Sequence, residues 1–225
     1  AVYDIRAADS HRPAAGPGGP PWGMLGPMAR TLGILLAGGP GARLALGLPK
    51  ALVRLGGMTL LERSRAVLAA VCDEVVVAAP ATLALPVAVA ERVTDPAESE
   101  GPLGGLVAGL RARPYGRAIA LGVDFPLMRP GMLRALAGML GGSGAVLPLP
   151  GGMPQPLAAA YGPRAAEGLA ACLAAGERAV MPAVAQLRPL VVRDEVLAGL
   201  DGGLDCFLNV NEPRDLERAE ALLGI

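Results

Sequence analysis

From Thr31 onward, hydrophobic positions fall into short unbroken runs separated by stretches of helical period. The apolar run Thr31–Leu36 reads as a buried strand, predicted over 32–37. A helix over about 59–70 follows, with Leu60, Leu61, Val67 and Leu68 on its apolar side, and then a strand over 74–79. A short strand is predicted over 87–91, before an irregular stretch that carries Asp95, Pro96, Glu98, Glu100 and Gly101. A helix over 104–113 leads back to a strand over 117–123, which stops at Asp124-Phe125-Pro126. After a helix over 131–140, strands near 145–149 and 156–161 stand close together and suggest an antiparallel excursion. The last helix is expected over 214–223, with Asn211 near its N-cap and Pro213 near N1. Such alternation predicts a single Rossmann-like three-layer α/β domain with a mostly parallel mixed sheet. Ligands bind such sheets outside the carboxyl ends of the strands, where the loop after position 37, Asp95 and Asp124 all fall.

The 225 residues suit one α/β domain, spanning 29–225. Residues 1–28, with Pro13, Pro17, Pro20, Pro21 and several glycines, are expected to form a disordered extension and lack the apolar run of a secretory signal. Formal net charge is zero and aromatic residues are 3% of the chain. That composition argues against a nucleic-acid surface of phosphate clamps and stacking platforms, and for a small-molecule partner. Cys72, Cys172 and Cys206 are far apart and form no C-x-x-C pair, which fits a reducing cytoplasm. The uncharged stretch Val75–Ala90 is broken by Pro80 and Pro86 and is too short to span a membrane. The one histidine, His11, lies in the N-terminal extension. A core without histidine excludes Ser-His-Asp, Cys-His and His-ligated metal chemistry, leaving carboxylate, lysine, arginine and metal-bound phosphate chemistry.

Among 20 basic residues Lys50 is the only lysine, so this position selects an ammonium in a chain that otherwise uses arginine. It follows the loop Gly38-Gly39-Pro40-Gly41-Ala42-Arg43, which stands directly after the first strand. Glycine-loop N–H groups can face phosphate oxygens while a compact cation reaches the same anion from the side, in a role of charge rather than packing. The commoner nucleotide motifs fail. Leu44 stands where a dinucleotide fingerprint from Gly39 needs its third glycine, and Leu48 follows Gly47 where a Walker loop needs lysine. Asp124 puts one carboxylate at a strand end, where a hard cation could bridge it to phosphate; a turn aspartate is the plainer alternative for both Asp124 and Asp95. Asn209 and Asn211, the only asparagines, would leave one face of a strand together.

Leu36-Ala37-Gly38-Gly39 with Arg43 and Pro49-Lys50 is similar to the signature loop of the nucleotidyltransferase superfamily. Four further segments resemble, more narrowly, the molybdenum cofactor guanylyltransferase family: Glu100-Gly101-Pro102-Leu103-Gly104-Gly105-Leu106, Gln155-Pro156-Leu157, Ala175-Gly176-Glu177-Arg178-Ala179-Val180-Met181 and Asn209-Val210-Asn211-Glu212-Pro213. The resemblance runs from about Met28 to the end of the chain and implies the nucleotide-diphospho-sugar transferase fold. By the same resemblance Leu36, Ala37, Gly38, Gly39 and Asp95 contact the nucleotide, Lys50 holds its phosphates, and Asp124 holds magnesium with Asn211 near the metal. Gln155, Asn209 and Asn211 would face the acceptor. The chain departs from the family pattern at Ala45, Pro49 and Ala78, where members usually show glycine, an acidic residue and asparagine.

The implied reaction is transfer of GMP from GTP to the terminal phosphate of molybdopterin, releasing pyrophosphate, with Lys50, Arg43 and Asp124 as catalytic groups and Mg2+ as cofactor. Molybdoenzymes or their chaperones would receive the product; neither nucleic acid nor membrane is expected as a partner. A cytidylyltransferase acting on the same cofactor and a sugar-phosphate nucleotidyltransferase are the near alternatives. A non-catalytic nucleotide-binding protein of the same fold is the more distant one.

Overall fold

The computed structural model of the protein describes residues 30–38, 48–85, 92–94 and 101–225. In chain order its strands are β1 Thr31–Leu36, β2 Arg54–Leu55, β3 Met58–Thr59, β4 Glu74–Ala78, β5 Arg92–Val93, β6 Arg117–Gly122, β7 Ala145–Pro148, β8 Ala158–Tyr161 and β9 Leu190–Val192. The helices are α1 Leu60–Ala69, α2 Pro102–Arg111, α3 Pro130–Gly138, α4 Ala165–Ala174, α5 Val180–Gln186, α6 Asp194–Leu197 and α7 Pro213–Leu223. The elements that are expected from the sequence and described agree to within two residues, whereas β2, β3, α4, α5, β9 and α6 carry no sequence expectation. The strand expected over 87–91 and the extension 1–28 lie outside the described residues.

Seven strands form a mixed sheet in the order β5-β4-β1-β6-β8-β7-β9, while β2 and β3 make a separate hairpin. Strands β5, β4, β1 and β6 are mutually parallel, and β8 runs antiparallel to both β6 and β7. The reversal is the excursion that the closely spaced segments near 145 and 161 suggest. Its register sets Leu121 opposite Ala158, so the start of β8 lies beside the carboxyl end of β6.

Strand β1 is buried along its whole length because side chains of both parities face helices. Leu32, Ile34 and Leu36 join Leu103, Leu106 and Leu110 of α2 in one cluster, whereas Leu35 joins Leu60, Leu61 and Leu68 of α1 in the other. The three-layer expectation holds for these reasons. Close approach of α2 to β1 depends on Gly109, where an added Cβ would stand 2.3 Å from Ile34 Cγ2. Helix α1 is started by a capping box: Thr59 Oγ1 accepts the Glu62 N–H at 3.1 Å and the Glu62 carboxylate accepts the Thr59 N–H at 2.7 Å.

Burial pushes the Cys72 thiol from 9.0 up to about 12, with Asp73 adding to the rise. A folded pKa above the unfolded one gives stability that is present below pH 9.0 and lost as pH rises toward 12. The expected loss attributable to Cys72 is on the order of 1 kcal/mol per pH unit once pH exceeds the unfolded value. Cys72→Ala should flatten that part of the alkaline decline in denaturant titrations. An unchanged alkaline slope in the variant would refute the assignment.

Candidate active site

The carboxyl ends of the central strands are fastened into one ledge. The Ala37 N–H donates to the Ala78 carbonyl at 2.9 Å, the Val123 N–H to the Leu36 carbonyl at 3.1 Å, and the Ala79 N–H to the Val93 carbonyl at 3.2 Å. Leu36 and Ala37 are therefore buried backbone supports, and Gly38 is the exposed residue that leaves the ledge. A Cβ on Gly38 would just touch Pro80 at 3.4 Å. Gly39, Arg43 and Asp95 lie outside the described residues. Ala78 offers no polar side chain, and its carbonyl is already engaged by Ala37.

Lys50 opens a 3-10 turn, Lys50–Leu52, that Pro49 starts with φ −55°. The residue is only 5% exposed, which corrects the expectation that it serves charge and not packing. Its Nζ lies 2.9 Å from Asp124 Oδ1 and donates to Asn211 Oδ1 at 2.8 Å. The ammonium thus joins three segments separated in sequence by up to 161 residues. A compact cation can donate to two oxygens that approach from different sides, whereas a planar guanidinium is built for coplanar acceptors. An enclosed ammonium with two oxygen partners is a physical reason for the single lysine of the chain, and it makes Lys50 a packing residue as well as a charge.

Asp124 follows β6 and keeps its side chain 30% exposed, so the carboxylate is both paired and open to solution. Its carbonyl accepts the Val210 N–H at 2.9 Å, which lays the segment Leu208–Asn211 along the end of β6. This segment is irregular instead of the strand considered from the Asn-x-Asn spacing. The alternation survives locally: Val210 is fully buried in the core, while Asn211 Nδ2 donates to Asn209 Oδ1 at 2.8 Å. Helix α7 has Glu212 as its N-cap, one residue beyond the expected Asn211, and Pro213 at N1 as expected.

Lys50, Asp124, Asn211 and Asn209 consequently form one hydrogen-bonded chain on the ledge. Gln155 stands at the same edge one strand over. The Leu157 carbonyl accepts the Gly122 N–H at 2.7 Å, and the Gln155 carbonyl accepts the Ala158 N–H at 3.1 Å. Gly101 caps α2 with φ 131°, a conformation that favours glycine, and no atom would lie within 4 Å of a Cβ there. The Glu177-Arg178 block turns inward on itself: Glu177 Oε1 accepts the N–H groups of Arg178 and Ala179 at 2.8 and 2.7 Å, closing the turn between α4 and α5. A separate cleft of about 420 Å3, bordered by Arg63, Arg129, Asp205 and Leu222, shares no lining residue with the Lys50 chain.

Sequence reasoning missed Asp215. Its carboxylate accepts the N–H of Asn211 at 2.9 Å and of Glu212 at 2.8 Å. Burial works to raise the Asp215 pKa, but these two N–H groups, with Arg214 and Lys50, outweigh it and hold the carboxyl below its ordinary range. The available signal was the spacing Glu212-Pro213-Arg214-Asp215 at a helix start.

Among the described residues no group of three or more His, Cys, Asp or Glu side chains converges as a metal cage. One open carboxylate fits magnesium better than such a cage would, because this ion keeps waters and is commonly held by one or two carboxylates plus substrate phosphates. Among the described residues no helix is long and apolar enough to cross a membrane.

A mixed sheet led by parallel strands, covered on both faces by helices, gives the chain the Rossmann-like nucleotidyltransferase fold. The chain belongs to the MobA-like NTP transferase domain family, whose model matches residues 33–190. It is 36% identical over 199 residues to a protein of Chloroflexus aggregans named "Probable molybdenum cofactor guanylyltransferase", covering 85% of this chain and 94% of the relative. It is 34% identical over 197 residues to a molybdenum cofactor guanylyltransferase of Cereibacter sphaeroides, covering 86% and 97%. The crystal structure of molybdopterin-guanine dinucleotide biosynthesis protein A from Archaeoglobus fulgidus superposes with TM-score 0.70 at 28% identity, over 86% of this chain and 98% of that one.

Proposed function

We propose that the protein is a molybdenum cofactor guanylyltransferase that transfers GMP from GTP to the phosphate of molybdopterin and releases pyrophosphate. The observation that supports this most is the enclosed Lys50 ammonium, tied to a solvent-reachable carboxylate at the strand ends of a nucleotidyltransferase fold. The likeness to guanylyltransferases over most of the chain supplies the substrate class.

In this reading the acceptor phosphate attacks the α-phosphorus of GTP; its oxygen forms the new P–O bond, and the bond to the β-phosphate oxygen breaks to release pyrophosphate. The acceptor is already anionic near neutral pH, so the step needs no general base, consistent with a site built without histidine. Lys50 neutralises charge that grows toward the leaving pyrophosphate. Gly38 and Gly39 would contact the nucleotide, and Arg43 would add a second positive charge. Asp124 would hold magnesium, with Asn211 beside it; when bound, the ion supplies Lewis-acid neutralisation of phosphate oxygens. Lys50 already donates to Asp124 Oδ1, so in this reading Asp124 would serve ammonium and metal together. Gln155, Asn209 and Asn211 would face the acceptor in this reading.

The reading locates the reaction in the cytoplasm, with molybdoenzymes or their chaperones as recipients of the product. Pyrophosphate release measured with each of ATP, CTP, GTP and UTP, with molybdopterin supplied, should be fastest with GTP. Preference for CTP would make the protein a cytidylyltransferase on the same acceptor. Absence of release with all four would overturn the enzymatic assignment.

A further inference from the structure

We infer that Asp215 is a positioning residue for the transfer step, acting through Asn211 on Lys50; the inference rests on the guanylyltransferase reading for its effect on turnover. An asparagine amide has an acceptor end and a donor end. Only the oxygen can accept from an ammonium, so Lys50 needs the amide held with Oδ1 toward it. One contact holds the amide and a second holds the backbone that carries it. Asn209 Oδ1 accepts from Asn211 Nδ2 at 2.8 Å, which assigns the donor end of the amide to Asn209 and leaves Oδ1 for Lys50 at 2.8 Å. The Asp215 carboxylate then fixes the backbone beneath the amide by accepting the Asn211 N–H at 2.9 Å.

A helix-capping role alone does not account for this arrangement. In the capping box of α7 the Glu212 side chain accepts the Asp215 N–H and the Asp215 side chain accepts the Glu212 N–H. The bond from Asn211 lies outside that box, one residue before the N-cap, and uses the same Asp215 Oδ2 atom that serves Glu212. One carboxylate oxygen therefore couples the start of α7 to the residue that touches Lys50. Both groups are anchored at the ledge, because Val210 between the two asparagines is bonded to Asp124.

Lys50 being the only lysine makes the inference directly observable. Protein labelled with 15N-lysine gives a single side-chain ammonium signal, and an enclosed ammonium with fixed acceptors exchanges its protons slowly enough to be seen. Asp215→Ala should broaden or abolish that signal and lower kcat for GTP-dependent pyrophosphate release by roughly ten- to a hundredfold, with a smaller change in KM. Glu212→Ala removes the other half of the capping box, and should leave the ammonium signal in place while costing comparable thermal stability. Asp215→Asn provides a milder second variant if the alanine protein does not fold, and should weaken the signal in the same direction. An ammonium signal unchanged in a folded Asp215 variant, or lost equally in Glu212→Ala, would overturn the positioning role. If wild-type protein showed the ammonium signal but released no pyrophosphate from GTP, the guanylyltransferase reading would fail while the structural coupling stood.

Discussion

Lys50→Ala should lower turnover by at least about tenfold, because it removes the charge set against the leaving pyrophosphate. The same substitution should also lower stability, which the sequence-only reading of Lys50 as a pure charge would not lead one to expect. Its Nζ holds Asp124 and Asn211 together from a site that is 5% exposed, and both oxygens lose a charge-assisted donor when it goes. Bonds of this kind contribute about 1.5–3 kcal/mol in sheltered places, and the 30% exposure of Asp124 argues for the lower end. The melting temperature should fall by about 2–6 °C for a domain of this size. Lys50→Arg should restore part of the stability and little of the turnover, since a planar guanidinium fork does not replace a compact ammonium in an enclosed site. Full turnover in the arginine variant would contradict the reason given for the single lysine.

Asp124→Asn should raise the magnesium concentration needed for half-maximal activity by about tenfold or more, because a hard divalent ion loses a charged ligand and gains only an amide oxygen. Relief of repulsion between carboxylates is not the expected effect on the empty protein. Asp124 is paired with Lys50, so the neutral side chain weakens an attraction and stability should fall modestly. An active, folded Asp124→Asn protein with an unchanged magnesium titration would remove Asp124 from metal binding.

Much of the fold could be read from the sequence because parallel strands buried on both faces leave unbroken apolar runs, as Thr31–Leu36 does, and helices leave a periodic apolar side, as Leu60, Leu61 and Leu68 do. The antiparallel β8 was suggested by the short spacing from β7. The site was partly legible. Lys50 and the two asparagines stood out because their residue types are rare in this chain, and Asp124 because it ends a strand. What linear spacing could not show is that these groups bond to one another. Lys50 and Asn211 are 161 positions apart, and only the sheet brings their atoms to 2.8 Å. Asp215 was missed for a related reason: an aspartate in the first turn of a helix is common, and its second bond, to Asn211, exists only because Leu208–Asn211 is held against Asp124. The expectation of a strand through Asn209 and Asn211 failed because a two-residue alternation needs only locally extended backbone, not ladder partners.

The central claim is that the Lys50, Asp124 and Asn211 ledge directs an acceptor phosphate to the α-phosphorus of GTP. It is tested most directly by following isotopic phosphorus from GTP labelled at the α or the γ position in the presence of molybdopterin. The account predicts α-label in a guanine dinucleotide of molybdopterin and γ-label in pyrophosphate, with both transfers lost together in Lys50→Ala. Recovery of γ-label in the acceptor, or undiminished α-label transfer by Lys50→Ala, would contradict it.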